Sequence, residues 1–336
     1  MVTVTLYRKN ECNECEAIVQ YLNELKQTHP HQLAIINVEQ LDDEQQGIDR
    51  AKFPYVKIGP YVLHAPFRKT DLQIALGASI DRASHLEAVN DETYRQRLNR
   101  GHTITKTDRV SFWISKNFMG MVLFVIFLYA GLPFLAPVLM KTGQTEPAKI
   151  IYAVYSPLCH QLGFRSWFLF GEQLYYPREL AGMDDIKSFE DETGISSDEI
   201  FEARSYLGDE RMGYKVALCE RDTAIYAVMF LFGLVFVLTG KKIKPLPWYI
   251  WLSIGLIPIG LDGFSQLPSL ASAMPSWVPI RESTPLLRVI TGGLFGLTTA
   301  WYLFPLLEDS MKETRTLLST KMSIAQQLSS RGAENR

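Results

Sequence analysis

Residues 2–25, VTVTLYRKNECNECEAIVQYLNEL, decide how the first part of the chain is read. Val2 to Tyr7 has the composition of a strand, Cys12 and Cys15 follow at the turn, and Ile18, Tyr21, Leu22 and Leu25 fall at helical spacing. This order puts the first cysteine at a helix N-terminus. There the unpaired N–H groups and the helix dipole favour a thiolate, the attacking species of disulfide exchange. Cys12 is the expected nucleophile, and Cys15, one turn later, is placed to resolve a mixed disulfide. Arg8 and Lys9 favour a Cys12 thiolate while Glu11 and Glu14 oppose it, so moderate activation is expected.

Working outward, Leu33 to Val38 is apolar and β-branched, a polar helical stretch follows, and Phe53-Pro54-Tyr55-Val56-Lys57-Ile58-Gly59 reads as a further strand. With these residues in place, residues 1–80 resemble the glutaredoxin and thioredoxin superfamily. The resemblance implies an α/β thioredoxin-like fold in which Pro54 stands where that family has a cis-proline facing the dithiol. Lys9 matches a lysine common in glutaredoxins, and Asp71-Leu72 matches their closing segment. It also implies thiol exchange with a protein or low-molecular-weight thiol or disulfide partner, glutathione among them. Two departures stand out: Asn13-Glu14 between the cysteines, and a longer hairpin from Gly59-Pro60 to Phe67 where the family has a Gly-Gly pair. Two other readings of the CxxC stay open. It could be half of a zinc site, although no second CxxC or nearby His pair accompanies it, or a dithiol kept for structure or a protein contact.

The 336 residues carry 34 Lys and Arg against 36 Asp and Glu, a formal charge of −2, which gives no basic surface for nucleic acid. A mean hydropathy of zero averages two unlike parts. The first hundred or so residues are polar, and from Phe112 onward long apolar stretches recur that a bilayer would bury. Met1 to Asn10 is not a secretory signal, so the first domain is expected in the cytosol.

Residues 81–111 read as a polar helical connector whose Arg95, Arg97, Arg100, Lys106 and Arg109 mark the cytoplasmic side. Residues 112–307 read as an all-α, multi-pass membrane domain with transmembrane helices at 118–139, 223–238, 248–264 and 286–307. Lys241, Lys242 and Lys244 place the second exit in the cytosol. Four crossings of a cytoplasmic (inner) membrane then leave both termini inside, with 308–336 a frayed polar tail. The insertion 141–221 is then extracytoplasmic. Within it Ala148 to Phe170 is apolar enough for another crossing but reads better as interfacial or re-entrant, and 198–206 is amphipathic.

On this topology Cys159-His160-Gln161, Arg165, Cys219-Glu220-Arg221-Asp222, Asp262, Gln266, Arg281-Glu282 and Arg288 gather at one membrane face. Ionisable groups at membrane depth are costly, which makes such a set a candidate site. From Ile151 to Gly296 the CHQ, RS, CxRD, DGxxQ and late Arg with TGG resemble a bacterial and archaeal family of polytopic membrane proteins known as domain of unknown function 2085. Relatives in it often carry a second cysteine where this chain has Asp222. The resemblance lends no activity. Cys159 and Cys219 can be a structural disulfide, a redox pair, free thiols or, with His160 and Asp222, metal ligands. Arg165, Arg221 and Arg288 can be neutralised by Asp222, Asp262 and Glu282 as architecture. Alternatively they form a pocket for a lipid headgroup or carboxylate that Asp262 and Gln266 orient. Gly292, Gly293 and Gly296 suit close helix packing.

The function expected is that of a membrane-anchored thiol-disulfide oxidoreductase. The alternative is a transporter or ligand-binding membrane protein with a glutaredoxin-like sensor or docking module. A bolder expectation passes electrons between the two cysteine pairs across the membrane through a quinone or another intermediary.

Overall fold

The computed structural model describes residues 2–10, 12–37, 53–89, 91–93, 103–196, 199–266 and 282–334. The polar stretch before Phe53, Val38, Arg95, Arg97, Arg100 and Arg281 lie outside the described residues. The chain divides into two units, Met1–Asn117 with Asp309–Arg336, and Phe118–Glu308.

In the first unit β1 (Val2–Arg8) runs parallel to β2 (His31–Asn37), and α1 (Asn13–Leu25) supplies the crossover that a parallel pair requires. β3 (Tyr55–Ile58) lies antiparallel on the other side of β1, followed by β4 (Tyr61–His64), so the sheet order is β2-β1-β3-β4. α2 (Lys69–Ala88) follows. Val4, Leu6, Leu22, Leu33, Val56, Ile58, Leu72 and Leu76 form the core, with Cys15 among them. The hairpin between β3 and β4 turns at Gly59, whose φ of 56° is open to glycine and whose missing Cβ makes room for Ser79 Oγ. The mixed α/β character expected of this region is therefore present.

The second unit is mostly helical. α3 (Lys106–Lys141), α7 (Glu220–Leu238) and α9 (Pro285–Glu334) contain stretches long and apolar enough to cross a membrane, and the shorter apolar α8 (Trp248–Phe264) includes a π-helical turn at Trp251–Leu256. α7 and α9 meet at glycines. A Cβ on Gly292 would lie 2.6 Å from the Arg221 carbonyl oxygen, and one on Gly296 would lie 2.3 Å from that of Ile225. Two backbones approach this closely only where one helix lacks side chains.

Two expectations need correction. The second unit is not all-α: after α4 (Thr145–Tyr155) come β5 (Ser166–Leu169), the short helices α5 (Phe189–Thr193) and α6 (Ile200–Ser205), then β6 (Gly208–Asp209) and β7 (Gly213–Cys219). The strands form an antiparallel sheet in the order β5-β7-β6. Ala148 to Phe170 is accordingly not one helix, since α4 ends after 11 residues. That is about 16 Å of rise against about 30 Å of hydrocarbon. The tail after residue 307 is not frayed either, because α9 continues to Glu334. Its Arg315 donates to the Ser115 carbonyl at 2.7 Å and Lys321 pairs with Asp108 at 2.7 Å. Gln327 exchanges two hydrogen bonds with the Ile35 backbone on the outer strand β2, at 2.8 and 2.6 Å. A side-chain amide there does what another strand would do, and so covers a sheet edge.

Candidate functional site

The first candidate site is the dithiol. β1 ends at Arg8 and the chain turns so that Cys12 caps α1, with the Cys15 N–H donating to the Cys12 carbonyl at 3.1 Å. The two cysteines form a disulfide with a Cα separation of 5.3 Å. Their surroundings differ. Cys15 is fully buried in the core while Cys12 packs at its edge and stays partly open, so an external thiolate can approach only the Cys12 sulfur. Pro54 precedes β3 in a cis peptide, and its carbonyl accepts from Ala65 N–H at 3.1 Å. Lys9 lies with its ammonium 5.9 Å from the Phe53 ring centre.

The second candidate site lies where β7 feeds α7. The Cys219 N–H donates to Cys159 Sγ at 3.3 Å, and the Asp222 N–H in the first turn of α7 donates to Cys219 Sγ at 3.4 Å. The ligand-type atoms of Cys159, Cys219 and Asp222 all lie within 4.8 Å of one another. The two thiols hydrogen-bond, which holds Cys159 below the ordinary cysteine range and pushes Cys219 well above it. Both cysteines are free. His160, expected beside them, is exposed and lies outside this group. A small groove lined by Ser156–His160 and Arg204 reaches Cys159.

The charged residues pair off beside it. Glu282 is buried and takes a bidentate contact from Arg165 at 2.7 and 2.9 Å, a contact from Arg178 at 3.6 Å, and one from Arg288. Arg288 also reaches Glu220 at 3.0 Å and the Phe164 carbonyl at 3.3 Å. Arg221 pairs with Asp262, whose carboxylate also accepts from Ser283 at 3.1 Å. Gln266 donates to the Asp262 carbonyl at 2.5 Å, at the end of α8. Of the expected cluster, Arg165 and Arg288 thus meet through Glu282, Arg221 and Asp262 meet directly, and Asp222 goes to the sulfurs. Gln161 is architectural, donating to the carbonyls of Tyr152 and Ala217 at 2.9 and 3.1 Å.

Sequence reasoning missed Arg178 and Lys215. Lys215 is fully buried on β7, its Nζ donating to the Gln161 and Arg204 carbonyls at 2.8 and 2.5 Å. Burial pushes its ammonium down to about 7, with Arg204 adding to the effect and Cys159 opposing it. The signal was available, because one lysine interrupts an otherwise apolar strand, Val216-Ala217-Leu218 following directly.

Residues 211–302 match the family described as Predicted membrane protein (DUF2085). The matched region holds Cys219, Arg221, Asp222, Asp262, Gln266, Glu282 and Arg288, whereas Cys159, His160, Gln161 and Arg165 precede it. An uncharacterized protein of Methanocaldococcus jannaschii, MJ1492, is 29% identical over 195 residues, which cover 55% of this chain and 88% of that relative. No solved structure matches the chain. The family match and the three long apolar helices agree on a membrane protein.

Proposed function

We propose that the chain is a membrane-anchored thiol-disulfide oxidoreductase whose thioredoxin-like first unit carries the chemistry at Cys12 and Cys15. The observation that carries this reading is the asymmetry of the pair: a bonded dithiol at a helix N-terminus with one sulfur accessible and the other buried behind it. In the reduced chain the Cys12 thiolate attacks a substrate disulfide and releases one substrate thiol. Cys15 then attacks Cys12 Sγ, releases the second thiol and forms the Cys12–Cys15 bond, so two electrons pass to the substrate. A thiol such as glutathione would return them. Four apolar helices, α3, α7, α8 and α9, would anchor this unit, with both termini on the cytosolic side as the basic residues near Arg109 and Lys241 suggest.

The alternative, a transporter or ligand-binding protein built on the arginine cluster, has less support. Arg165, Arg178, Arg221 and Arg288 each already have a carboxylate partner, so no cationic group among them is held ready for an anion. The test uses the full chain in membranes. Cys15→Ser should accumulate a mixed disulfide at Cys12 with a protein or small thiol, and Cys12→Ser should accumulate none and lose disulfide reduction. If neither variant changes reduction of a model disulfide, or if Cys12 never forms a mixed disulfide, the proposal fails.

A further inference from the structure

Four arginines beside the second site are matched to carboxylates and Arg204 donates to Ser156, yet Asp222 is not matched to a cation. Arg165, Arg178 and Arg288 converge on Glu282, Arg288 also holds Glu220, and Arg221 holds Asp262. Asp222 makes no ion pair among the described residues and instead shares a space less than 4.8 Å across with two cysteine sulfurs. The buried ammonium of Lys215, which feels the Cys159 charge, donates its hydrogen bonds to the carbonyls of Gln161 and Arg204. Three groups that are anionic or become anionic on losing a proton are therefore held together, and none of them forms an ion pair among the described residues.

Backbone donors also reach both sulfurs. Each accepts a backbone N–H, from Cys219 and from Asp222, and hydrogen bonds to the charged form favour it. The aromatic and aliphatic wall formed by Tyr129, Tyr155, Tyr226 and Leu218 limits water around them. We infer that Cys159, Cys219 and Asp222 bind one zinc ion. Two thiolates and a carboxylate are ordinary zinc donors, and three protein ligands leave a fourth tetrahedral position for water or a ligand entering by the groove at Ser156–His160 and Arg204. Zinc–ligand bonds of about 2.0–2.3 Å put neighbouring donor atoms about 3.5–3.8 Å apart, so the three side chains need to close by about 1 Å. Binding releases the two thiol protons and involves no change of oxidation state. This site is independent of the Cys12–Cys15 chemistry.

The full chain, purified in detergent without chelator, should hold about one zinc per chain by elemental analysis. Cys12→Ser/Cys15→Ser should keep it, and Cys159→Ser, Cys219→Ser and Asp222→Asn should each weaken it by ten-fold or more. Asp222→Cys, which keeps a ligand and so guards against a variant that merely misfolds, should retain zinc. With Co2+ in place of Zn2+ that variant should show stronger thiolate-to-metal charge-transfer absorption than the natural chain. Zinc well below one per chain, zinc lost with Cys12 and Cys15, an Asp222→Cys variant without metal, or recovery of Cys159 and Cys219 as a disulfide would each overturn the assignment.

Discussion

Lys215→Met isolates the cost of a buried ammonium. Lys215 is fully enclosed on β7, its ammonium donates to the Gln161 and Arg204 carbonyls, and burial pushes it from 10.5 down to about 7. At about 1.4 kcal/mol per pH unit, that displacement corresponds to about 5 kcal/mol between the folded and unfolded states. The sign follows from proton counts. Between pH 7 and 10.5 the unfolded lysine keeps its proton while the folded one has lost it, so stability rises with pH through that window and is lowest below it. From pH 7.5 to 9 the gain is about 2 kcal/mol, roughly a thirty-fold rise in protection.

At a single pH the variant is uninformative, because removing the ammonium relieves its burial but strips two carbonyls of their donor at about 1–3 kcal/mol each. The slope is decisive. Hydrogen exchange of the β5 and β7 amides in detergent, corrected for the intrinsic pH dependence of exchange, should show protection climbing in the natural chain. It should climb by about thirty-fold less in Lys215→Met over pH 7.5 to 9. Equal slopes would mean that Lys215 keeps an ordinary pKa, and the account of this strand would be wrong.

Two further outcomes follow from packing. Gly296→Ala would place a Cβ 2.3 Å from the Ile225 carbonyl oxygen, where only backbone can yield, and should cost about 1–3 kcal/mol in thermal unfolding in detergent. Gly293→Ala, whose Cβ would meet only the Val228 side chain at 3.6 Å, should stay within about 0.5 kcal/mol, and equal losses at both positions would refute the close crossing of α7 and α9. Gln327→Ala removes both hydrogen bonds to Ile35 and should cost about 1–2 kcal/mol, read as faster exchange of the Ile35 amide. Unchanged exchange there would show that β2 does not depend on α9.

What the sequence disclosed tracks the range of the interactions involved. The strand, dithiol and helix of residues 2–25 and the apolar spans are local patterns, and α1 and α7 begin within a few residues of where composition puts them. The sheet β5-β7-β6 escaped notice because its strands are two to seven residues long and separated by insertions. Residues 308–334 read as a frayed tail because they are polar. Their helix is held by Arg315, Lys321 and Gln327, whose partners lie some 200 to 292 residues away in the chain.

Charge pairing was the least legible feature, and Asp222 shows why. Arg221 is its neighbour in sequence, and a salt bridge between them is the simplest guess. Successive residues of a helix point about 100° apart, so Arg221 turns to Asp262 while Asp222 does not follow it. Three residues separate Asp222 from Cys219, the spacing that brings side chains to one helix face, and this much could be read from CERD. The third member could not. Cys159 arrives from 60 residues upstream only because β5 pairs with β7 across the insertion, setting Ser166 beside Cys219. In that register Arg165, one residue before Ser166, pairs with Glu282 and leaves Asp222 to the two sulfurs.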